Sequence, residues 1–249
     1  MKRALVFIAI FSGLVSVGIS PLRAQPADTA AWWLLTDVNP DARSRADFDA
    51  LTAMLINRGK VPADQIQRIE GKECTQESVH NAIRNLARRM KRGNRLIFFF
   101  RGTVTKPARS NSIYLLTYGA ESSDVTSAVE DIQLNRWFRG VGVNEAIVLF
   151  DGYTDNRNIY AYLANRELLG GAALVSIRSA TSSEGSLLQY LLSVLQTDAS
   201  DLDDNRQIAV GELHECIVAQ APPQESIVVP TGNVEAAVFK LIPMLKITT

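Results

Sequence analysis

Short apolar runs and one-sided helical stripes alternate along the chain from residue 31 to residue 241. Residues 31–36 (AWWLLT) read as a buried strand. Over residues 47–58, Phe48, Leu51, Met54 and Leu55 recur at helical spacing, and Gly59 stops the helix. A short strand is predicted at 66–70. Thr75 is an N-cap with Glu77 in the first turn, and Val79, Ile83, Leu86 and Met90 form a helical stripe that Gly93 closes. Residues 95–101 (RLIFFFR) are apolar on both faces, as suits a central parallel strand. A short edge strand or hairpin arm follows at 112–117. Leu134, Trp137 and Phe138 mark a helix ending near Gly140, and 145–150 (EAIVLF) form a second central strand ending at Asp151. The remaining expectations are a helix at 158–169, a strand at 172–177, a buried helix at 187–195, a helix at 207–220 and late strands at 226–229 and 236–241.

Strands alternating with helices predict an α/β fold: a mostly parallel central sheet with helices on both faces. No repeat or long linker interrupts the pattern, so residues 31–249 read as one domain. In such a sheet ligands sit at the carboxyl ends of the strands. The loops after Thr36, Arg101, Phe150 and Ile177 are therefore where chemistry is expected.

The N-terminus has a different pattern. Lys2 and Arg3 precede a nearly continuous apolar stretch, residues 4–19, and Ala24 offers a small residue before Gln25. This is the layout of a signal peptide over residues 1–24, with 25–30 a short tail. The expectation is export to the periplasm or the extracellular space, with no membrane role after cleavage. Removal of residues 1–24 leaves 23 basic and 26 acidic groups, a net of −3. That balance argues against a nucleic-acid binder. Two cysteines exclude a disulfide scaffold, and two histidines, His80 and His214, restrict imidazole chemistry.

Three stretches resemble the caspase-like fold family of caspases, metacaspases and paracaspases. Residues 47–59 (DFDALTAMLINRG) are similar to its first helix. Residues 96–102 (LIFFFRG), followed by 113–116 (IYLL), are similar to the strand ending in Ser-Gly-His-Gly and the Tyr-Leu-Leu after it. Residues 147–156 (IVLFDGYTDN) are similar to the strand ending in Asp-x-Cys-x-Ser-Gly. The resemblance implies a three-layer caspase-like fold and the chemistry of a cysteine endopeptidase. The chain departs at both residues that carry that chemistry. Thr103 stands where the family has its histidine base, and Tyr153 where it has its cysteine nucleophile. A hydroxyl is no base near neutral pH, and a phenol is a poor substitute for a thiolate.

The resemblance thus implies a degenerate pseudo-protease without a catalytic dyad, acting as a binding or regulatory module. No metal or cofactor is expected. The alternative is an endopeptidase with a displaced site, built on the cysteines or on Ser/Thr chemistry around Thr103, Ser110 or Ser179. Metacaspases cut after Arg or Lys, and acidic residues line their first specificity pocket. Asp151 matches one such residue and Asp47 another, which implies a basic peptide or protein as partner. The other reading of Asp151 is a cap for the loop at 152–156.

Weaker signals complete the inventory. Asp201, Asp203, Asn205 and Glu212 have the ligand spacing of a calcium loop, but Arg206 stands where the turn wants glycine. The cluster Arg84, Arg88, Arg89, Lys91, Arg92 and Arg95 reads as the solvated face and end of a helix, with binding of an anionic partner as the alternative. After export Cys74 and Cys216 would meet an oxidising compartment, so a bridge between them competes with Cys216 as a small buried residue.

Overall fold

The structure is a computed structural model that describes residues 30–143, 145–154, 159, 172–178, 186–220 and 226–240. Strands β1 (Ala31–Asp37), β2 (Ile66–Glu70), β3 (Arg95–Thr105), β6 (Ala146–Tyr153), β7 (Ala172–Arg178) and β9 (Ser226–Gly232) form the main sheet in the order β2-β1-β3-β6-β7-β9. All neighbours run parallel except β9, which is antiparallel to β7. A small antiparallel extension, β4 (Tyr114–Leu115) and β5 (Val129–Glu130), attaches to the far end of β3.

The two-residue period of a strand sends alternate side chains to opposite faces, and here both faces are buried. Trp32, Leu34, Leu96, Phe98, Phe100, Val148 and Phe150 pack with Val79, Ile83 and Leu86 of helix α2 (Gln76–Arg89) and Leu134 and Phe138 of helix α3 (Asp131–Gly140). Trp33, Leu35, Ile97, Phe99, Ile147 and Leu149 pack on the other side. Their partners come from helices α1 (Ala42–Asn57), α4 (Leu187–Leu195) and α5 (Val210–Gln220). The result is the three-layer α/β architecture expected from the alternation of elements.

Capping explains where the helices begin. Helix α1 starts ahead of the predicted Asp47 because Asp41 caps it. The Ser44 amide donates to Asp41 Oδ1 at 2.7 Å, and the Asp41 amide donates to Ser44 Oγ at 3.0 Å. The Ser44 backbone bond holds the Asp41 carboxyl below its ordinary pKa. Thr75 caps α2 as predicted, accepting from the Ser78 amide at 3.1 Å.

One expectation needs correction, and one open alternative is resolved. Residues 207–220 are not one helix: Gln207–Ala209 form strand β8, paired antiparallel with β10 (Ala237–Lys240) apart from the main sheet. Ile208 is buried there, and the Ala209 amide donates to Glu212 Oε2 at 2.8 Å, so α5 begins only at Val210. Nor do the cysteines pair. Cys74 packs in the α2/α3 layer and Cys216 against the α1/α4/α5 layer, with the sheet between them, and both are free thiols. The expected leader and most of the expected helix at 158–169 lie outside the described residues. Among the described residues no helix is long and apolar enough to cross a membrane.

Candidate functional site

The parallel register lines up the carboxyl ends of three strands. Asp37 of β1 stands opposite Arg101 of β3, which stands opposite Asp151 of β6. Their odd-numbered positions share a face with Leu35, Phe99 and Leu149, so all three side chains turn toward the α1/α4 layer. One pleat further out, Thr103 stands opposite Tyr153.

The inner row is a buried ionic cluster. Arg101 Nη1 donates to both oxygens of Asp37 at 3.1 Å, and Arg101 Nε lies 3.7 Å from Asp151 Oδ2. Asp37 is 1% exposed and Asp151 0%. Burial alone would lower the pKa of Arg101, but the charges of Asp37 and Asp151 outweigh it and raise the value above the ordinary arginine range. Asp151 Oδ1 also accepts the Leu187 amide at 3.1 Å. It thereby satisfies a donor at the first turn of α4, where a negative charge also suits the helix dipole. Asp151 thus caps a helix that is distant in the chain.

Asp47 reaches the same turn by another route. It is half-buried on α1, and its Oδ2 accepts from Gln189 Nε2 at 3.3 Å. Both candidate pocket acids thus meet the start of α4. Asp151, expected to receive a cation from outside, has the guanidinium of Arg101 at 3.7 Å.

Gly102 separates the two rows. A Cβ there would lie 2.9 Å from Phe100 Cζ and 3.0 Å from Val38 Cγ2, so a larger residue would force the β1 and β3 ends apart. In the outer row Thr103 and Tyr153 are both half-buried, and Asn39 Nδ2 donates to Tyr153 Oη at 3.2 Å. Asn39 also lines a surface cavity of about 570 Å³ with Val38, Pro40, Arg45, Glu70 and Tyr118.

The remaining candidates lie elsewhere or are occupied. Ser110 shapes its own loop, its Oγ accepting the Ser112 amide at 3.0 Å. Ser179 lies outside the described residues. His80 stacks on Trp137, with ring centroids 4.5 Å apart, between α2 and α3. His214 is half-buried on α5. Cys74 is sealed in the core near Asp37; burial and then that charge push its thiol up to about 12, which suppresses the nucleophilic thiolate. Burial raises the Cys216 thiol as well.

Asp201, Asp203 and Glu212 bring carboxylate oxygens within 4.8 Å of one another, the one described group of three that could hold a metal. Those oxygens already accept backbone N–H groups from Leu202 at 2.6 Å, Asn205 at 3.0 Å, Arg206 at 2.6 Å and Ala209 at 2.8 Å. Arg206, expected to block the turn, adopts φ of 64° and completes it.

Neither Asp37 nor Arg101 stands out as a site residue in the sequence. The loops after Thr36 and Arg101 do, because strand ends are legible, but the register that joins the two charges is not.

No family model and no curated protein matches the sequence. The fold does match solved structures. A protein from Geobacter sulfurreducens, GSU0716, superposes with a TM-score of 0.56 at 13% identity, covering 86% of this chain and 100% of that one. Caspase-1 from Spodoptera frugiperda superposes with a TM-score of 0.50 at 12% identity, covering 84% and 88%. Together with the three-layer architecture, these matches establish that the chain has a caspase-like fold.

Proposed function

We propose that this chain is a non-catalytic caspase-like domain that acts as a binding or regulatory module. One observation carries the reading. Thr103 and Tyr153 stand side by side in the ladder, in register and at the carboxyl edge, so the two positions meet as a dyad would but offer neither a base nor a thiolate. The buried ionic row beneath them supports it. The buried carboxylates of Asp37 and Asp151 have a guanidinium from within the chain, so an incoming arginine would have to displace Arg101. Among the described residues, the cavity bordered by Asn39, Arg45 and Tyr118 opens at this edge.

The test uses the full chain with fluorogenic peptides ending in Arg, Lys or Asp, and with covalent probes for cysteine and serine hydrolases. The expected result is no turnover and no stoichiometric labelling. Peptides with Arg or Lys should also bind no better than matched neutral ones. Labelling that a single substitution at Thr103, Tyr153 or Ser110 abolishes would overturn the reading in favour of a displaced catalytic site.

A further inference from the structure

The sheet edge opposite the candidate site is strongly basic on one side. Helices α2 and α3 lie next to each other, with Gln76 Nε2 donating to the Ala128 carbonyl at 2.7 Å and His80 stacked on Trp137. On α2, Arg84 and Arg88 are one turn apart and exposed, and the line continues through exposed Lys91 and Arg92 just past the helix end. Exposed Arg136 and Arg139 on α3 widen it. Among the described residues none of these six cations makes an ion pair. Two arginines of the same stretch are engaged otherwise. Arg95 is buried and bound to Glu145 at 2.9 Å, and Arg89 lies over the Trp32 ring at 5.0 Å while pairing with Asp64. Helix-end cations suit the dipole, but that accounts neither for Arg84 and Arg136 nor for the want of acidic partners.

A second observation concerns where the chain joins this edge. Strand β1 begins there: Ala31 pairs with Arg95, and the Arg95 amide donates to the Ala30 carbonyl at 3.0 Å. Arg89 on Trp32 places the end of α2 beside that start. The apolar run at 4–19 is separated from residue 30 only by residues 20–29. Ten residues reach at most about 36 Å. A bilayer holding the apolar run would therefore lie close to the edge that carries the cations. The acidic loop with Asp198, Asp201, Asp203 and Asp204 follows α4, on the opposite face of the sheet, so charge alone sets which side turns toward an anionic surface.

We propose that the α2/α3 end, through Arg84, Arg88, Lys91, Arg92, Arg136 and Arg139, is an interaction surface for anionic lipid headgroups. The expectation of a cleaved leader leaves the membrane no role; this placement gives it one where the apolar run is retained. The apolar run supplies proximity and the six cations supply charge complementarity. Nucleic acid or an acidic protein would use the cations, but neither would draw on an apolar run that only residues 20–29 separate from residue 30.

The experiment is flotation of the full chain with vesicles of phosphatidylcholine alone and of phosphatidylcholine with phosphatidylglycerol. Each basic side chain near an anionic surface adds about fivefold to partitioning. The double variant Arg88→Gln/Arg92→Gln should therefore lose about 25-fold of the preference for anionic vesicles. Arg43→Gln/Arg109→Gln removes the same charge from exposed positions outside the patch and should keep most of it. Raised salt should weaken the preference of the wild type. Equal partitioning to both vesicle types, or equal losses in the two variants, would overturn the proposal. So would displacement of the chain from anionic vesicles by duplex DNA or polyglutamate at matched charge, which would assign the patch to that class of partner. Unchanged cooperative unfolding of both variants confirms that the comparison reads binding.

Discussion

Replacing Arg101 with methionine keeps much of its length and apolar stem but removes the only cation seen between Asp37 and Asp151 among the described contacts. At an effective dielectric near 20, contacts at 3.1 and 3.7 Å are each worth about 4–5 kcal/mol. Against them stand the repulsion between the two carboxylates and a desolvation cost of several kcal/mol for each ion. The intact cluster is thus near balance, but its removal is not symmetric. Losing the cation abolishes both attractions and leaves Asp37 and Asp151 buried at 1% and 0% exposure. Breaking a buried pair in this way costs about 3–5 kcal/mol, a large fraction of the 5–15 kcal/mol (roughly) that holds a domain together. Urea unfolding of wild type and Arg101→Met should show that loss, with a fall in Tm of about 2–4 °C for each kcal/mol. The double variant Asp37→Asn/Arg101→Met, which also removes one stranded charge, should be more stable than Arg101→Met alone. A single variant within about 1 kcal/mol of wild type, with unchanged denaturant dependence, would refute the account. So would a double variant whose cost equals the sum of its parts, because residues sharing one ionic cluster are expected to couple.

Gly102→Ala should cost about 1–3 kcal/mol in urea unfolding, because its Cβ would meet Phe100 and Val38 inside ordinary contact distance; a neutral result would mean the β1 and β3 ends yield freely. Ellman titration of the native chain at pH 8 should count one accessible thiol, Cys216, with Cys74 reacting only on unfolding. With its pKa near 12, buried Cys74 would be thiolate in only about one molecule in ten thousand at that pH, so rapid labelling of both thiols would contradict the packing.

Much of the fold is legible in the sequence because apolar period and burial coincide. The runs at 66–70 and 187–195 match β2 and α4, and the both-faced run RLIFFFR sits in the middle of the sheet. What was missed has a physical reason. Strands β5 and β8 are two and three residues long, too short to show a period. The ionic cluster depends on register: Arg101 lies 64 positions from Asp37 in the chain and becomes its neighbour only when β1 and β3 align. A sequence shows where a strand ends but not which end it will face. The family pattern that implies a pocket role for Asp151 likewise does not show the cation that the adjacent strand brings to it.

The strands also run further than their apolar cores suggest, and this bears on how the carboxyl edge is built. Strand β3 continues past Arg101 to Thr105, and β6 past Asp151 to Tyr153. Threonine and tyrosine both favour a pleated, half-buried surface, and parallel neighbours lie about 4.8 Å apart, so Thr103 and Tyr153 serve as a ladder pair that lengthens the sheet. They occupy the outer row, where exchange disturbs neither the buried charges nor the core. The inner row is constrained differently. Asp151 must answer both Arg101 and the Leu187 amide, and Gly102 must leave room for Phe100 and Val38. Chemistry and architecture therefore separate by one pleat. The outer pair can change while the row beneath it holds the strand ends and the start of α4 together, and it is that inner row whose disruption should cost the fold.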